Sequence, residues 1–466
     1  MVVHGYHPYV EDAEIYVPGI TKALHPSLYP LNSAFFTSHA RLTLFPNLMA
    51  GSIRLTRLSL EWALILWHCL SIFLLLLASW HLGRLCFRDP LAKWGSVVMI
   101  ASLLTIPVAG TALFIMDQYL PPRSLSTPAA LFIVINVLQK NFWRAALGAT
   151  FIALIHPLMA VFALSYVAIL ELARRSPRTL KSSAWLLGPL GLFPPMTSAY
   201  RAAIDRHSYF FLLRWQWYEW LGILGPLMLL YWFQQIARKK QLADLALLCR
   251  SLILFELVYF VVALILTIPP QLANLTELQP MRSLHLLYVV LFVFTGGLLV
   301  QFVLKNTTWR WIALFLPLCA GMGYAQRQSF PMSSHIEWPG TSSRNQWAQA
   351  FVWVRDHTPA DAYFALNPDY MRLPGEDQHG FRAMAERSRL ADRTKDSGAV
   401  TMFPALAEIW LQQVGAATGW SHFDEQDFLR LKRLYGVNWV ILERPLAGDS
   451  FSCPYANSAV LVCTIP

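Results

Sequence analysis

Charged residues are scarce in this chain of 466 residues: Asp, Glu, Lys and Arg together make up 14% of it. A soluble protein typically carries about a quarter charged residues. Hydrophobic residues make up 56% of the chain, and the mean hydropathy is +0.42. This balance excludes an ordinary soluble globular protein and predicts an integral membrane protein.

Several familiar motifs are also absent. The sequence contains no P-loop, no Rossmann glycine fingerprint, no HExxH and no paired CxxC, so it gives no sign of ATP-driven or zincin-type chemistry. The opening residues MVVHGYHPYVEDAE are polar almost at once and predict no cleavable signal peptide. The net charge of +10 does not predict nucleic-acid binding, because many Lys and Arg residues lie in short loops between apolar runs.

Ten apolar runs follow the first 58 residues. They cover residues 60–82, 94–116, 127–139, 144–155, 158–172, 183–196, 218–234, 243–268, 284–304 and 309–324. At least four of them are shorter than the ~20 residues that a helix needs to cross a bilayer. We interpret His156-Pro157 as a turn between two short helices. The sequence therefore predicts a mainly α fold, a polytopic transmembrane helix bundle with about ten crossings.

Basic loops predict which face each end occupies. Lys and Arg cluster at residues 84–93, 174–182 and 235–242, which we expect in the cytoplasm. Both termini then face outward. The outer segments would be residues 1–58, 117–126, the turn at 156, 197–217, 269–283 and the tail.

Three regions follow from this topology. Residues 1–58 are predicted to form an outer-face loop with interfacial helices, residues 59–324 the bundle, and residues 325–466 a small soluble α/β domain outside the cytoplasm. In the tail, Cys453 and Cys463 flank a predicted hairpin turn. Because that compartment is oxidising, we expect them to form a disulfide.

An acidic pair stands in the first outer segment. Glu11 and Asp12 lie near Glu14, and paired carboxylates at a membrane surface can act as a general base or hold a divalent metal ion. Their partly apolar flanks predict a raised pKa, which would favour proton abstraction. The alternative is a solvated acidic turn or the start of a helix.

Seven further residues are candidates for binding a lipid phosphate at the outer boundary. They are Asp117, Arg123, His156, Arg214, Gln279, Arg282 and His285. Arginine beside aromatic residues suits a phosphate group. The alternatives are a local ion pair for Asp117 and Arg123, a helix cap for His156, and interfacial Arg residues that contact headgroups only.

The sequence also resembles known membrane proteins. Six segments are similar to a bacterial membrane family of unknown function: HGYHPYVEDAEIYVPGI, DQYLPPRSLSTP, IHPLMAVFAL, WQWYEWLG, LQPMRSLHLLY and GFRAMAERSRLAD. The acidic pair, surface helices, short crossings and outer C-terminal domain resemble the type C glycosyltransferases, such as protein mannosyltransferases, aminoarabinose transferases and oligosaccharyltransferases. These enzymes have a crossing before the first outer loop, and residues 1–58 contain none.

The resemblance implies a glycosyltransferase of the bacterial inner membrane that uses a polyprenyl-phosphate-linked sugar at the outer face. Glu11 or Asp12 would be the base or a metal-associated group, and Arg282 or Arg214 would contact the phosphate. The acceptor and any metal cofactor stay open; the partners would be membrane lipids and no nucleic acid. Two rivals remain: a lipid or solute transporter, favoured only by Glu256 and His68, and a catalytically inactive assembly or sensing protein.

Overall fold

A computed structural model describes residues 1–175, 196–444 and 451–466 of the chain. Within these residues the chain forms 18 α-helices and seven short strands, so the mainly α fold is confirmed. The predicted run 183–196 falls outside the described residues except for its last position. Most of the predicted loop 174–182 lies outside them as well.

Five helical segments of the described residues are long and apolar enough to cross a membrane. They are Leu60–Cys86 (α4), Pro157–Arg174 (α8), Trp217–Lys239 (α10), Ala243–Thr267 (α11) and Asn274–Leu304, which contains Ser283–Leu299 (α12). Two apolar helices are shorter, Pro122–Leu138 (α6) and Phe142–Ile155 (α7). These helices identify an integral membrane protein with a helical bundle.

The helix break at His156-Pro157 is where the sequence predicts it. The α7 helix ends at Ile155, and α8 begins at Pro157, the position at which proline fits a helix start. The side-chain Nδ1 of His156 accepts a hydrogen bond from the backbone N–H of Met159 at 3.4 Å. His156 is therefore the N-cap of α8, which is the alternative interpretation given above.

The predicted run 94–116 is wrong as one continuous helix. The α5 helix covers Ala92–Ser102, and a two-stranded hairpin of Pro107–Val108 (β1) and Leu113–Phe114 (β2) follows it. Pro107 cannot donate a helical hydrogen bond, and Gly110 turns the hairpin at a φ of +65°. Apolar composition alone could not distinguish this hairpin from a span.

The first residues of the chain form part of the outer structure. They contain the helices Ala13–Leu24 (α1), Ala34–Leu42 (α2) and Phe45–Thr56 (α3). Tyr6 pairs with Ile336 in a parallel bridge, and Val10 pairs with His379 in an antiparallel bridge. Residues 1–24 therefore pack on the C-terminal domain instead of standing apart from it.

The C-terminal domain combines short helices with a small sheet. The position predicted as its start, 325, lies inside the α13 helix, Thr308–Ser329. Its remaining helices are Gln346–His357 (α14), Phe381–Ala385 (α15), Lys395–Met402 (α16), Ala407–Ala416 (α17) and Glu425–Tyr435 (α18). Before it, Ser198–Asp205 (α9) packs in a shared apolar cluster with α16 and α17.

One mixed sheet forms the centre of this domain. Its strands are Tyr363–Ala365 (β3), Ser388–Arg389 (β4), Trp439–Glu443 (β5), Ser452–Ala456 (β6) and Val460–Thr464 (β7), in the order β4-β3-β5-β7-β6. Strand β3 is parallel to β4 and β5, whereas β7 is antiparallel to β5 and β6. A disulfide joins Cys453 of β6 to Cys463 of β7. The register of β6 against β7 shifts at an irregularity between Ser452 and Tyr455.

Candidate active site

A cavity of about 1120 Å³ lies between the bundle and the C-terminal domain. Its wall is formed by the start of α1, the β1–β2 hairpin, the segment after α9, the α16 region and the start of the last candidate span, Asn274–Leu304. Six of the nine predicted site residues line it: Glu11, Asp12, Asp117, Arg123, Gln279 and Arg282. The tertiary structure thus brings together predicted residues from three separate parts of the sequence.

The acidic pair contacts a lysine that the sequence analysis missed. Lys395 donates hydrogen bonds from its Nζ to an Oε of Glu11 and, at 2.8 Å, to Oδ1 of Asp12. Lys395 is the first residue of α16, and the carboxylate of Asp392 accepts its backbone N–H. The helix start is therefore held firmly while the long side chain reaches the cavity.

Strained backbone surrounds the acidic pair. Glu11 has a φ of 56°, and its N–H donates to the carbonyl of Gln378 at 2.9 Å. Asp377 and Gln378 are also left-handed, at 58° and 62°, and so is Gln279 at 47°. All four residues line the cavity. Left-handed non-glycine residues cost free energy and concentrate at functional sites, so the backbone independently marks this cavity.

The expected raised pKa of Asp12 is wrong. Burial acts to raise the pKa of this carboxyl, but the neighbouring ammonium of Lys395 outweighs it, and the pKa falls well below its usual range. Arg123 and Arg282 add to the lowering. The side chain keeps 41% of its surface exposed to the cavity. Asp12 is thus an ionised hydrogen-bond acceptor, and it is a weak base as long as Lys395 stays in place.

Unsatisfied polar atoms occur at the start of the last span. Nε of Arg282 and Oε1 of Gln279 are buried without a hydrogen-bond partner among the described residues. The guanidinium carbon of Arg282 lies 6.0 Å from the ring centroid of Tyr209. A buried polar group without a partner is costly, so such atoms beside a cavity favour a bound polar ligand.

Asp117 and Arg123 form an ion pair with each other. Nη2 of Arg123 lies 2.7 Å and 2.6 Å from the two carboxylate oxygens of Asp117, and both side chains are buried. This geometry matches the local ion pair given above as the alternative. The pair lines the cavity beside Arg282, but its charge is already compensated.

Three predicted phosphate-binding residues stand outside the cavity wall. Arg214 pairs at 2.8 Å with Asp205, and both side chains are nearly half exposed. His285 is buried, and its Nε2 lies 3.2 Å from the carbonyl oxygen of Ile115. His156 is the helix cap described above. The structure therefore does not bring these three residues to the site.

A buried charge cluster fixes the acidic pair in place. Glu14, fully buried, accepts the backbone N–H of Arg382 at 2.7 Å and contacts the Arg389 guanidinium at 2.7 Å. Arg382 also binds Asp396 through two hydrogen bonds of 2.8 Å and 2.9 Å. Glu14 thus ties α1 to the C-terminal domain and faces away from the cavity. The segment GFRAMAERSRLAD contains many charged residues, and this density was the sequence feature that could have predicted the cluster.

A second charged contact ties the N-terminal segment to the C-terminal domain. His379, fully buried, contacts Glu337 through Nε2 at 3.0 Å, and His7 lies 3.8 Å from the same carboxylate. Burial opposes the charge on His379, but Glu337 outweighs it and raises the pKa of His379 to about 9. Burial likewise opposes the charge on Glu337, yet His379 lowers the pKa of Glu337 to about 2.

These two pKa values predict how stability changes with pH. The raised pKa of His379 contributes its full stabilisation below pH 6.5, and this contribution disappears as the pH rises towards about 9. The lowered pKa of Glu337 stabilises it above 4.5, and this contribution disappears as pH falls towards about 2. We expect the thermal unfolding midpoint to drop as pH rises from 6.5 to about 9, the range over which His379 loses its proton. Glu337→Gln should make that drop smaller. An equal slope in both proteins would contradict the ion pair.

The acidic pair shows no multidentate metal site. Among the residues that the structure describes, no group of three or more His, Cys, Asp or Glu side chains is placed to hold a metal ion. The ammonium of Lys395 lies between the two carboxylates instead. Any divalent ion bound by Glu11 and Asp12 would have to replace it.

The fold and the cavity together define a helical membrane protein with a charged site at the junction with its C-terminal domain. No model of a known protein family matches the sequence, and no curated protein is detectably similar to it.

Proposed function

We propose that this protein is a membrane glycosyltransferase that takes a sugar from a polyprenyl-phosphate-linked donor. One observation supports it above the others. The same cavity holds Arg282 and Gln279, each with an unsatisfied buried atom, and the carboxylate pair Glu11–Asp12. Such a cavity offers one region for an anionic leaving group and another for a hydroxyl acceptor. The type C architecture implied by the sequence resemblance belongs to this proposal.

The donor phosphate is assigned to Arg282. A guanidinium fork suits phosphate oxygens, and Nε is one of its donors. Arg282 lies at the start of α12, within the candidate span Asn274–Leu304. A lipid tail can therefore enter the bilayer while its phosphate stays at the cavity. Tyr209, near the guanidinium, offers an aromatic surface beside that phosphate.

The acceptor is assigned to the acidic pair. The acceptor hydroxyl would donate a hydrogen bond to Asp12 or Glu11, and its oxygen would attack the sugar carbon opposite the phosphate. The reaction inverts that carbon, and Asp12 takes the proton as the polyprenyl phosphate leaves. The strained backbone at Glu11 and Gln378 presents the pair in this position.

Arg282→Lys tests the donor site. The substitution keeps the charge but removes the fork, so we expect purified protein in lipid vesicles to bind polyprenyl phosphate roughly tenfold more weakly. Arg214→Lys is the matched control, because it makes the same change in an exposed pair outside the cavity. If Arg282→Ala bound the lipid as tightly as the parent protein, Arg282 would be removed from the site.

We also propose that the cavity and the C-terminal domain face outward across a bacterial inner membrane. Arg88, after α4, donates to the carbonyl of Gln241, after α10, so two basic loops meet at one end of the bundle. At the other end of α4, Glu61 accepts the N–H of Gly340 in the C-terminal segment. The positive-inside rule then assigns the basic end to the cytoplasm.

Reporter fusions test this orientation. A reporter that is active only in the cytoplasm is expected to be silent after Pro466 and active after Gln241. The second fusion is the control for expression and insertion. An active reporter after Pro466 would reverse the assignment of faces, and the proposed lipid-linked donor would then have to be bound on the cytoplasmic side.

Transport of a lipid or solute is the second candidate function. Glu256 of α11 accepts a hydrogen bond from Ser283 at 3.0 Å, and its other oxygen has no partner in the described part of the chain. Buried carboxyl groups inside a bundle are typical of transport pathways. Replacing Glu11, Asp12 and Asp117 together distinguishes the two functions, because a transporter would stay active and a transferase would not.

A further inference from the structure

Lys395 contacts two carboxylates with a single ammonium group. It bonds Glu11 and Asp12 at once, and only 11% of its side chain is exposed. One positive charge for two negative charges leaves the trio with a net charge of about −1 when all three are ionised. Its backbone is fixed by Asp392, but a lysine has a flexible four-carbon stem. Nζ can therefore move without any change in α16.

The proposed phosphate site lies close to this lysine. Tyr209, Arg282 and Lys395 all line the same cavity, and the guanidinium carbon of Arg282 lies 6.0 Å from the centroid of the Tyr209 ring. Burial raises the pKa of the Tyr209 hydroxyl, and both cations are near enough to oppose that rise. Arg282 also acts directly on the carboxyl of Asp12. A phosphate at Arg282 would therefore bring a new negative charge into the surroundings of Lys395.

We propose that Lys395 is shared between the acidic pair and the donor phosphate. It holds Glu11 and Asp12 until the donor binds, and it then turns to the phosphate. This inference rests on the function proposed above and assigns Lys395 a positioning role in it. The donor thereby releases Asp12 to accept a hydrogen bond from the acceptor.

The shared lysine resolves a chemical difficulty of the contact between Lys395 and Asp12. While Lys395 binds Asp12, the pKa of that carboxyl is too low for effective proton abstraction. Once the ammonium moves, the acceptor oxygen bonds to the sugar carbon as the bond from that carbon to the phosphate oxygen breaks. The hydroxyl proton passes to Asp12, and the electron pair leaves with the polyprenyl phosphate. Lys395 and Arg282 then neutralise the departing phosphate.

Several groups besides Lys395 face Asp12 and contribute to its titration. They are Arg123, Arg282, Asp117, Tyr16, Tyr119, Tyr209 and His39. These groups are common to the parent protein and a Lys395 variant. The comparison of the two proteins therefore isolates the part that Lys395 contributes.

Infrared titration of Asp12 tests the inference. The carboxylate band of Asp12 is assigned by its loss in Asp12→Asn and followed in full-length protein in vesicles, with and without polyprenyl phosphate. We expect the lipid to raise the pKa of Asp12 in the parent protein. In Lys395→Met the lipid can act only by direct repulsion, so the rise should be clearly smaller. Lys395→Gln is a second neutral variant, and Lys239→Met, on an exposed surface, is the control.

The outcomes separate this inference from the function on which it rests. We expect Lys395→Met to bind polyprenyl phosphate roughly 10- to 100-fold more weakly, as after loss of one charged hydrogen bond. Equal rises in the pKa of Asp12 in the parent and both neutral variants would overturn the sharing of Lys395, although binding that depends on Arg282 would leave the donor site intact. Absence of lipid binding to the parent protein would overturn both.

Discussion

Asp12→Asn is expected to lower sugar transfer from a lipid-linked donor by roughly 10²- to 10⁴-fold, the usual loss when a general base is removed. Asparagine preserves the size of the side chain but has no basic carboxylate oxygen. It also weakens the contact with Lys395 seen at 2.8 Å. The rate is to be measured with the full-length protein in vesicles, together with its thermal unfolding, so that loss of catalysis is separated from loss of structure.

Two further variants make this result decisive. Glu11→Gln changes the other carboxylate of the pair, and Asp205→Asn makes the same chemical change in the exposed pair with Arg214. We expect Glu11→Gln to lower the rate and Asp205→Asn to leave it unchanged. Near-parent transfer by Asp12→Asn, Glu11→Gln and the double variant would end the catalytic assignment and favour the transporter or the inactive assembly protein.

Glu14→Gln is expected to reduce the free energy of unfolding by about 3–5 kcal/mol, as when one partner of a buried ion pair is removed. Its carboxylate is fully buried against Arg382 and Arg389, and it also accepts the backbone N–H groups of Arg382 and Ala383. A neutral amide leaves two buried guanidinium groups with less negative charge. Asp392 and Asp396 can compensate only in part.

Denaturant unfolding and limited proteolysis measure this loss. Because Glu14 lies on α1, proteolysis is expected to cut the N-terminal segment first, before the C-terminal domain unfolds. Glu408→Gln is the matched control, since Glu408 is exposed in the first turn of α17 and is worth at most about 1 kcal/mol there. Equal stability of Glu14→Gln and the control would contradict the structural role of the cluster.

The buried charge cluster and the cavity share two short segments of the chain, one at the start of α1 and one at the start of α16. Glu14 follows Asp12 by two positions, and Asp396 directly follows Lys395. The buried contacts therefore set the distance between the acidic pair and its lysine. A loss of docking would separate Asp12 from Lys395 even though neither residue had changed, which is why stability and transfer are measured together for each variant.

Local patterns predicted the elements whose identity depends on neighbouring residues. The helix break at His156-Pro157 follows from proline chemistry. Gly436 directly follows α18, and because it is a glycine it can adopt the left-handed φ of 76° at which that helix ends. The hairpin of β6 and β7 follows from alternation around a turn. Residues 94–116 had the same apolar composition as a span, and that composition did not reveal the break in the helix at Pro107 and Gly110.

The sequence by itself determined that the protein is helical and membrane-embedded. Long apolar segments with few charges partition into the bilayer and form helices there whatever other segments they later contact. It also singled out Glu11, Asp12 and Arg282 as chemically suitable residues. Only the tertiary structure decided what these residues contact. Lys395 stands 383 positions from Asp12, and no local pattern carries a pairing over that distance. The pKa of Asp12 depends on that pairing, because a charge a few ångströms away outweighs the local apolar flanks.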